Sequence, residues 1–471
     1  MGAINMTLAQ KLKFYLKHNP LHELYNEADL PKKIRRSLNF IILGNMLGSF
    51  HGIICGGGTT AMIGLATELG ANDLAFGVLA AIPQIAALMQ LPFSVMVNRT
   101  HKRKQYILTW GIFARALWIT FGLVPYIIPM ASATVQLWTI IFLMGIAFGC
   151  NSLVNVCWVP WMSDLAPINI RGRWMSIRDS ILSAANVLIG LFVAKLLDTL
   201  PVDTRYAIIF VIGGIVGIMD LCCFGFCEDV YNAPPIKQSM FGAVKDVLKN
   251  KSFMNLTIMW TFWCFASNLS AVYMTPYAMN EMGLNFMQIM LFSTIASAVV
   301  SMFVMPCWGR MIDRFGSKNV LMVACTMASL APVFFLFQTP GNIWPTLLRN
   351  VFGAMFWCGS NLAAETTKLA TAPAESRPTH LAVFSCVTAL GGATLGSLAG
   401  GALLDYWNTA GTFDAFMFDR YQVLFTGSIF LRLMFVFIFV PRFPADKAST
   451  PKDLINHIYQ TIRHPIRSRA Y

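Results

Sequence analysis

Gly309-Arg310-Met311-Ile312-Asp313-Arg314-Phe315-Gly316-Ser317-Lys318 sits between two long apolar runs, 287–308 and 319–337. It carries the cations Arg310, Arg314 and Lys318, the carboxylate Asp313, and glycines at positions 309 and 316. Such a stretch reads as a tight, basic, glycine-hinged turn joining two membrane-length segments. A weaker copy lies 215 residues earlier, where Asn98-Arg99 and Lys102-Arg103-Lys104 again separate two apolar runs. A turn that recurs in this setting marks a duplication, and the rest of the chain is organised by it.

Apolar residues make up 56% of the 471 and charged residues 12%, against about 25% charged in a soluble domain. The apolar residues gather in runs of about 20 or more, long enough to cross a hydrocarbon core roughly 30 Å thick. In lipid, backbone polar groups are satisfied within a helix or a closed barrel. The runs lack the period-2 alternation of barrel strands, so the predicted fold is an all-α polytopic membrane protein. A soluble class is excluded. Twelve spans are expected: 39–66, 74–97, 105–128, 135–162, 176–198, 206–227, 254–281, 286–308, 319–338, 343–369, 380–405 and 420–441. They group into an amino-terminal tail 1–37, a six-helix bundle 38–228, a linker 229–252, a second bundle 253–441 and a basic tail 442–471. In the first tail Leu8, Leu12 and Tyr15 recur at helical spacing among lysines, which suits a helix on the membrane surface. The first apolar run starts too late and runs too long for a cleavable signal peptide.

The net charge of +13 would suggest nucleic acid in a soluble protein. Here its placement describes topology, and no nucleic-acid partner is implied. With both termini cytoplasmic, 29 of the 35 Lys and Arg fall in cytoplasmic segments, and only Lys195, Arg205 and Arg420 fall in external loops. That is the positive-inside pattern. The absence of an N-x-S/T site on an external loop suits a bacterial inner membrane. Most of the eleven cysteines lie in apolar runs without metal-ligand spacing, so no metal or cofactor is expected.

The two halves repeat. Gly70-Ala71-Asn72 matches Gly283-Leu284-Asn285, and Asn98-Arg99 matches Asp313-Arg314. Gly145, Phe148, Cys150 and Ser152 match Gly353, Phe356, Cys358 and Ser360; Ala166-Pro167 with Arg171 matches Ala372-Pro373 with Arg377. The offsets, 213, 215, 208 and 206, follow chain order. Two six-helix bundles in parallel repeat account for them.

On these residues the chain resembles the major facilitator superfamily. The family's loop signature, G-x-x-x-D-R-x-G-R-K, is met by Gly309, Asp313, Arg314, Gly316 and Lys318. The earlier copy keeps Arg99 but has Ser94, Asn98 and His101 where the signature has glycine, aspartate and glycine. Asp164-Leu165-Ala166-Pro167 with Arg171-Gly172-Arg173 is similar to the run after the fourth helix of sugar-porter relatives. The resemblance covers about residues 38–441. It implies a secondary transporter whose two bundles rock about a central site. The gate residues expected on that basis are Asp313, Arg314, Lys318, Asp164, Arg171, Arg173 and Arg99, because a carboxylate at a helix end pairs with arginine and with a neighbouring helix amino terminus.

Polar residues at membrane depth are expensive and so are candidates for function. His51 in span 1 is the sharpest, as a substrate donor or a proton acceptor for coupling. Gln84, Asn151, Asn155, Asn268 and Asn361 suit hydrogen bonds to a polar solute, or links between helices. Tyr273, Tyr277 and Trp357 offer aromatic faces to an organic solute, or pack at the interface. Glu365 is either a coupling carboxylate or the partner of Lys368. Asp220, Arg115 and Arg432 read as structural, and Arg349 as the candidate to meet an anionic substrate. The small-residue stripe Gly44, Gly48, Gly52, Gly56, Thr60, Gly64 reads as a packing face.

The expected function is a secondary active or facilitative transporter of a small organic solute, leaning to uptake, with a proton or sodium ion as candidate coupling ion. It would work in a lipid bilayer as a monomer. An exporter or lipid flippase of the same fold is the alternative, and a non-transporting membrane sensor the alternative of another class. No H-E-x-x-H or G-x-S-x-G pattern supports an enzyme.

Overall fold

The computed structural model describes residues 20–100, 102–229, 240–292, 296–339, 342, 344–373, 377–410, 419–443 and 449–463. Helix follows helix throughout, with no strand among the described residues. Among the described residues, eight helices are long and apolar enough to cross a membrane. Of the other four expected spans, the tenth is one helix, Trp344–Thr371, and the second, seventh and eighth are built from shorter helical pieces.

Span 1 is broken as well. It comprises Lys32–Ile54 and Thr60–Glu68, with Gly56-Gly57-Gly58 between them. Three consecutive glycines weaken a helix, and Thr59 starts a new one: its hydroxyl donates to Ile54 O at 2.8 Å and accepts from the Met62 amide at 3.4 Å. A side chain at Gly57 would meet the span 2 backbone at Leu79 and Pro83 Cγ. The glycine stripe predicted as one continuous face is therefore interrupted, although Gly44 and Gly48 before the break and Gly64 after it all face span 6, at Phe224, Asp220 and Tyr206.

The opening decapeptide is also less of a loop than its composition suggests. Helix Ala296–Phe315 runs through Asp313 and Arg314, and Ser317–Leu330 starts at once. Gly316 alone makes the turn, at φ +86°, a conformation that side chains other than glycine rarely adopt.

Three large apolar clusters divide the molecule. At the end carrying the signature turns, one cluster belongs to the amino half, around Trp161 and Trp174. A second at that end belongs to the carboxyl half, around Phe253 and Phe435. At the far end a single cluster draws on both halves, including Phe121 and Phe210 from one, Tyr273 and Phe425 from the other. The halves are thus packed together at the far end, with separate cores at the signature end. Three amphipathic helices dress the signature end. Pro20–Glu27 buries Leu24 and Tyr25, Met240–Lys249 lies in the linker and buries Val247, and Pro451–Arg463 buries Leu454. The expected surface helix at Leu8, Leu12 and Tyr15 lies outside the described residues.

Candidate functional site

A polar cavity of about 380 Å³ opens within the amino half. Asn45, Asn151, Asn155, Arg115, Arg178 and Asp220 supply much of its wall. The geometry follows from packing. Span 6 brings Asp220 against span 1 where Gly48 leaves room: a Cβ there would stand 2.8 Å from Asp220 Oδ2. Gly217, one turn earlier on span 6, does the same for its neighbours, since its Cβ would meet His51 Nδ1 at 2.6 Å and Arg115 Cδ at 2.8 Å. Arg115 Nη2 and Asp220 Oδ2 stand 3.5 Å apart, with side chains 16% and 4% exposed. This is a buried ion pair of loose geometry. Arg115 Nε and Asp220 Oδ1 are buried without a hydrogen-bond partner.

His51 is buried behind this wall. Its Nδ1 lies 2.9 Å from Gly213 O; a carbonyl only accepts, so the proton is on Nδ1 and Nε2 is the bare acceptor. Nε2 has no partner. The ring meets Trp118 edge-on at 6.0 Å.

The other predicted solute contacts scatter. Asn151 and Asn155 line the cavity. Gln84 is half-buried in span 2. Asn268 donates to its own helix, to Cys264 O at 2.9 Å. Asn361 and Trp357 are exposed on span 10, with Trp357 5.5 Å from Trp263. Tyr273 and Tyr277 do not face the amino-half cavity: both are fully buried in the far-end core, where Tyr273 donates to Ser397 O. Glu365 pairs with Lys368 at 2.5 Å and is 60% exposed. Sequence reasoning set Asp220 and Arg115 aside as structural; the structure puts both on the cavity wall.

At the far end two carboxylates tie the halves together. Asp405, ending span 11, accepts from Asn72 Nδ2 at 2.6 Å and from the Asp73 and Leu74 amides at 2.9 and 3.2 Å. Asp198, ending span 5, accepts from the Phe286 and Met287 amides at 3.1 and 3.0 Å. Each carboxylate thus sits on the amino terminus of a helix from the other half, where unpaired amides and the helix dipole favour an anion. Tyr421 donates to Asp73 at 2.5 Å, and Arg420 forms an ion pair with it at 3.3 Å. Below Asp405 the backbones come close: a Cβ on Gly77 would stand 2.8 Å from Ser397 O, and one on Gly401 2.8 Å from Asp73 O. Asp198 and Asp405 were missed by the sequence reading. Their 207-residue separation falls within the offsets of the repeat, and that was the signal available.

At the signature end Arg103 Nη1 holds Asp164 at 2.8 Å. Lys318 Nζ donates to Pro441 O at 2.7 Å. Asp313 and Arg314 are exposed on their helix. The side chains of Arg99, Arg171 and Arg173 lie outside the described residues.

The family model described as the Major Facilitator Superfamily matches residues 46–371 and 289–470. A multidrug resistance protein, MdtG of Klebsiella pneumoniae (strain 342), is 30% identical over 207 residues, 40% of this chain and 45% of that relative. The chain thus aligns with under half the length of that relative. Among solved structures, a bacterial homologue of the human lysosomal transporter Spinster, inward-facing and occupied, superposes with TM-score 0.63 at 17% identity, covering 88% of this chain and 98% of that one. A D-xylose–proton symporter gives 0.63 at 15%, covering 89% and 100%. A mutant of the nucleoside transporter NupG gives 0.64 at 14%, covering 86% and 100%. These share the fold of two bundles with twelve helices. With a family model matched across most of its length, the chain belongs to the Major Facilitator Superfamily.

Proposed function

We propose that the protein carries a small polar organic solute across a bacterial inner membrane by alternating access, with both termini cytoplasmic and a proton as the coupling ion. The observation that carries this reading is the buried Arg115–Asp220 pair on the wall of the amino-half cavity. An ion pair removed from water is costly unless its geometry is good, and this one is loose. A proton or a hydrogen-bonding solute that reaches Asp220 Oδ1 relieves it. In this reading His51 positions Arg115 and span 6 rather than meeting solute, and Glu365, exposed and paired, takes no part in coupling. The far end is the closed external gate, latched by Asp198 and Asp405. The signature end is the open cytoplasmic side, where Asp313 and Arg314 take up their gate role when the molecule reverses.

Purified protein in proteoliposomes tests this with labelled sugars, sugar acids, nucleosides and amino acids. Counterflow of at least one, abolished by Asn155→Ala together with Arg115→Gln, is expected. Asp220→Asn should keep counterflow and lose accumulation driven by a pH gradient. Accumulation that survives in Asp220→Asn removes the coupling role; no exchange of any solute turns the reading toward a sensor.

A second reading, export of apolar compounds, is favoured by the MdtG relationship and by a cavity of about 250 Å³ lined by Ile53, Val193, Leu197, Phe286 and Met290. Inverted vesicles separate the two: uphill uptake into them means export.

A further inference from the structure

The amino-half cavity carries more polar groups than the fold requires, and the repeat makes this visible. At offsets of 208 and 206, Asn151, Asn155 and Arg178 correspond to Gly359, Ala363 and Phe384. In the carboxyl half those positions lie in a filled apolar core. Ala363 and Phe384 share a buried cluster with Trp308, and a Cβ on Gly359 would stand 2.6 Å from the Trp308 ring. The same architecture thus packs there without amides or a cation. In the amino half Asn45, Asn151 and Asn155 line an open cavity, and none of the three makes a side-chain hydrogen bond among the described residues.

The charges on this wall do not balance. Arg115 is neutralised by Asp220. Arg178 is the second cation on the wall, with its side chain 14% exposed. Its partner Asp179 is 61% exposed and not on the wall, and offers a single oxygen to Nε and Nη2 at 3.0 and 2.7 Å. So exposed a counter-charge contributes little. The third nitrogen, Nη1, is set against the Met162 sulfur, a weak acceptor. A surplus positive charge with a donor short of an oxygen therefore lines the same cavity as three free amides and the Trp158 indole. A volume of about 380 Å³ corresponds to roughly a dozen waters at about 30 Å³ each, and so to a solute of about a dozen non-hydrogen atoms. Amides both donate and accept, which suits hydroxyl groups.

We propose that the solute is a monoanionic polyhydroxy acid of sugar-acid size, with its carboxylate on Arg178 and its hydroxyls on Asn45, Asn151 and Asn155. This rests on the reading of the amino-half cavity as the transport site. A neutral sugar would leave Arg178 Nη1 without an oxygen, and a doubly charged phosphate would exceed the single surplus charge.

The test uses the purified full-length protein in detergent. Glucuronate, galacturonate and gluconate are titrated at constant ionic strength beside their uncharged counterparts glucose, galactose and sorbitol, with affinity read from the melting temperature. At least one acid should bind tenfold or more tighter than its counterpart, the equivalent of one charge-assisted bond. Arg178→Gln should bring that ratio close to one, and Arg178→Lys should restore part of it. Asn155→Ala should weaken acid and counterpart alike and leave the ratio unchanged. If Arg178→Gln fails to fold, Asp179→Asn replaces it: with the competing carboxylate gone, the acid should bind severalfold tighter and the neutral sugar as before. Equal affinity for acid and counterpart, no binding of any acid, or a ratio unmoved by the Arg178 and Asp179 variants overturns the proposal. Counterflow separates it from the transport reading. Neutral solutes that exchange while no acid binds leave transport standing and remove the acid. Acids that bind through Arg178 and never exchange leave the site standing and remove transport.

Discussion

Asp220 in span 6 and Arg432 in span 12 are 212 residues apart, within the offsets that relate the two halves. They occupy corresponding helices and carry opposite charge. In the amino half the charge has a partner, Arg115, and the unpartnered atoms include two acceptors, Asp220 Oδ1 and His51 Nε2. In the carboxyl half no carboxylate pairs with Arg432 among the described residues, and its Nε, a donor, has no partner. The duplicated fold is kept by apolar packing and by glycine contacts, which tolerate a change of charge at one buried position. The halves are therefore free to carry opposite charges at corresponding positions.

The largest effect should come from breaking the amino-half pair. Asp220→Leu leaves Arg115 buried and alone, at a cost of about 3–5 kcal/mol, read as a fall in melting temperature. Arg115→Met combined with Asp220→Leu should recover most of it. Arg432→Leu should lower stability by less than about 1 kcal/mol or raise it, because no carboxylate is orphaned. Equal losses in Asp220→Leu and Arg432→Leu would erase the contrast between the halves.

Glycine contacts give the next effect. Gly48→Ala pushes a methyl to 2.8 Å from Asp220 Oδ2, whereas Gly52 has nothing within 4 Å of its Cβ position. The first change should cost about 1–3 kcal/mol; the second should be neutral or gain up to roughly 1 kcal/mol from helix propensity. Matching melting temperatures would mean span 1 does not pack on span 6 in this way.

The two proposed far-end latches should differ in strength. Asp405 accepts three bonds and Asp198 two. Asp405→Asn should shift the equilibrium away from the closed far end by about 1–2 kcal/mol, roughly 5- to 30-fold in population, and Asp198→Asn by less. Spin labels at Met130 and Asn408, both exposed, would report longer distances. No change in either variant removes the latch role.

The smallest effect concerns the carboxyl-half tail helix. His457 lies 5.3 Å from the Phe315 ring, and burial, then the charge of Arg314, hold its pKa below the ordinary histidine value. The docked helix therefore binds fewer protons than the released one. Docking should be full above the ordinary histidine range and weaken as pH falls through it. Hydrogen exchange across 451–463, corrected for its intrinsic pH dependence, should quicken between about pH 7.5 and pH 5.5; a flat profile counts against it.

Much of this was legible in one dimension. Span number, the repeat and the signature turn come from hydrophobic run length and from residues recurring at near-constant offset, both local properties. Asn151 and Asn155 were legible as cavity residues because amides at membrane depth are rare. The break in span 1 was present in Gly56-Gly57-Gly58, yet the small-residue period concealed it. Tyr273 and Tyr277 misled because an aromatic ring suits a binding face and a core equally well.

What the sequence alone determined is therefore the membrane class, the helical architecture, the twofold repeat and the chemical types present at depth. Only the tertiary structure decided which of those groups meet. Arg115 finds Asp220 across 105 residues, Asp405 finds the start of span 2 across more than 330, and Arg432 finds no carboxylate among the described residues. Helical periodicity is fixed by neighbours a few residues away. Electrostatic partnership depends on which helix faces are pressed together, and that is settled when the bundles pack.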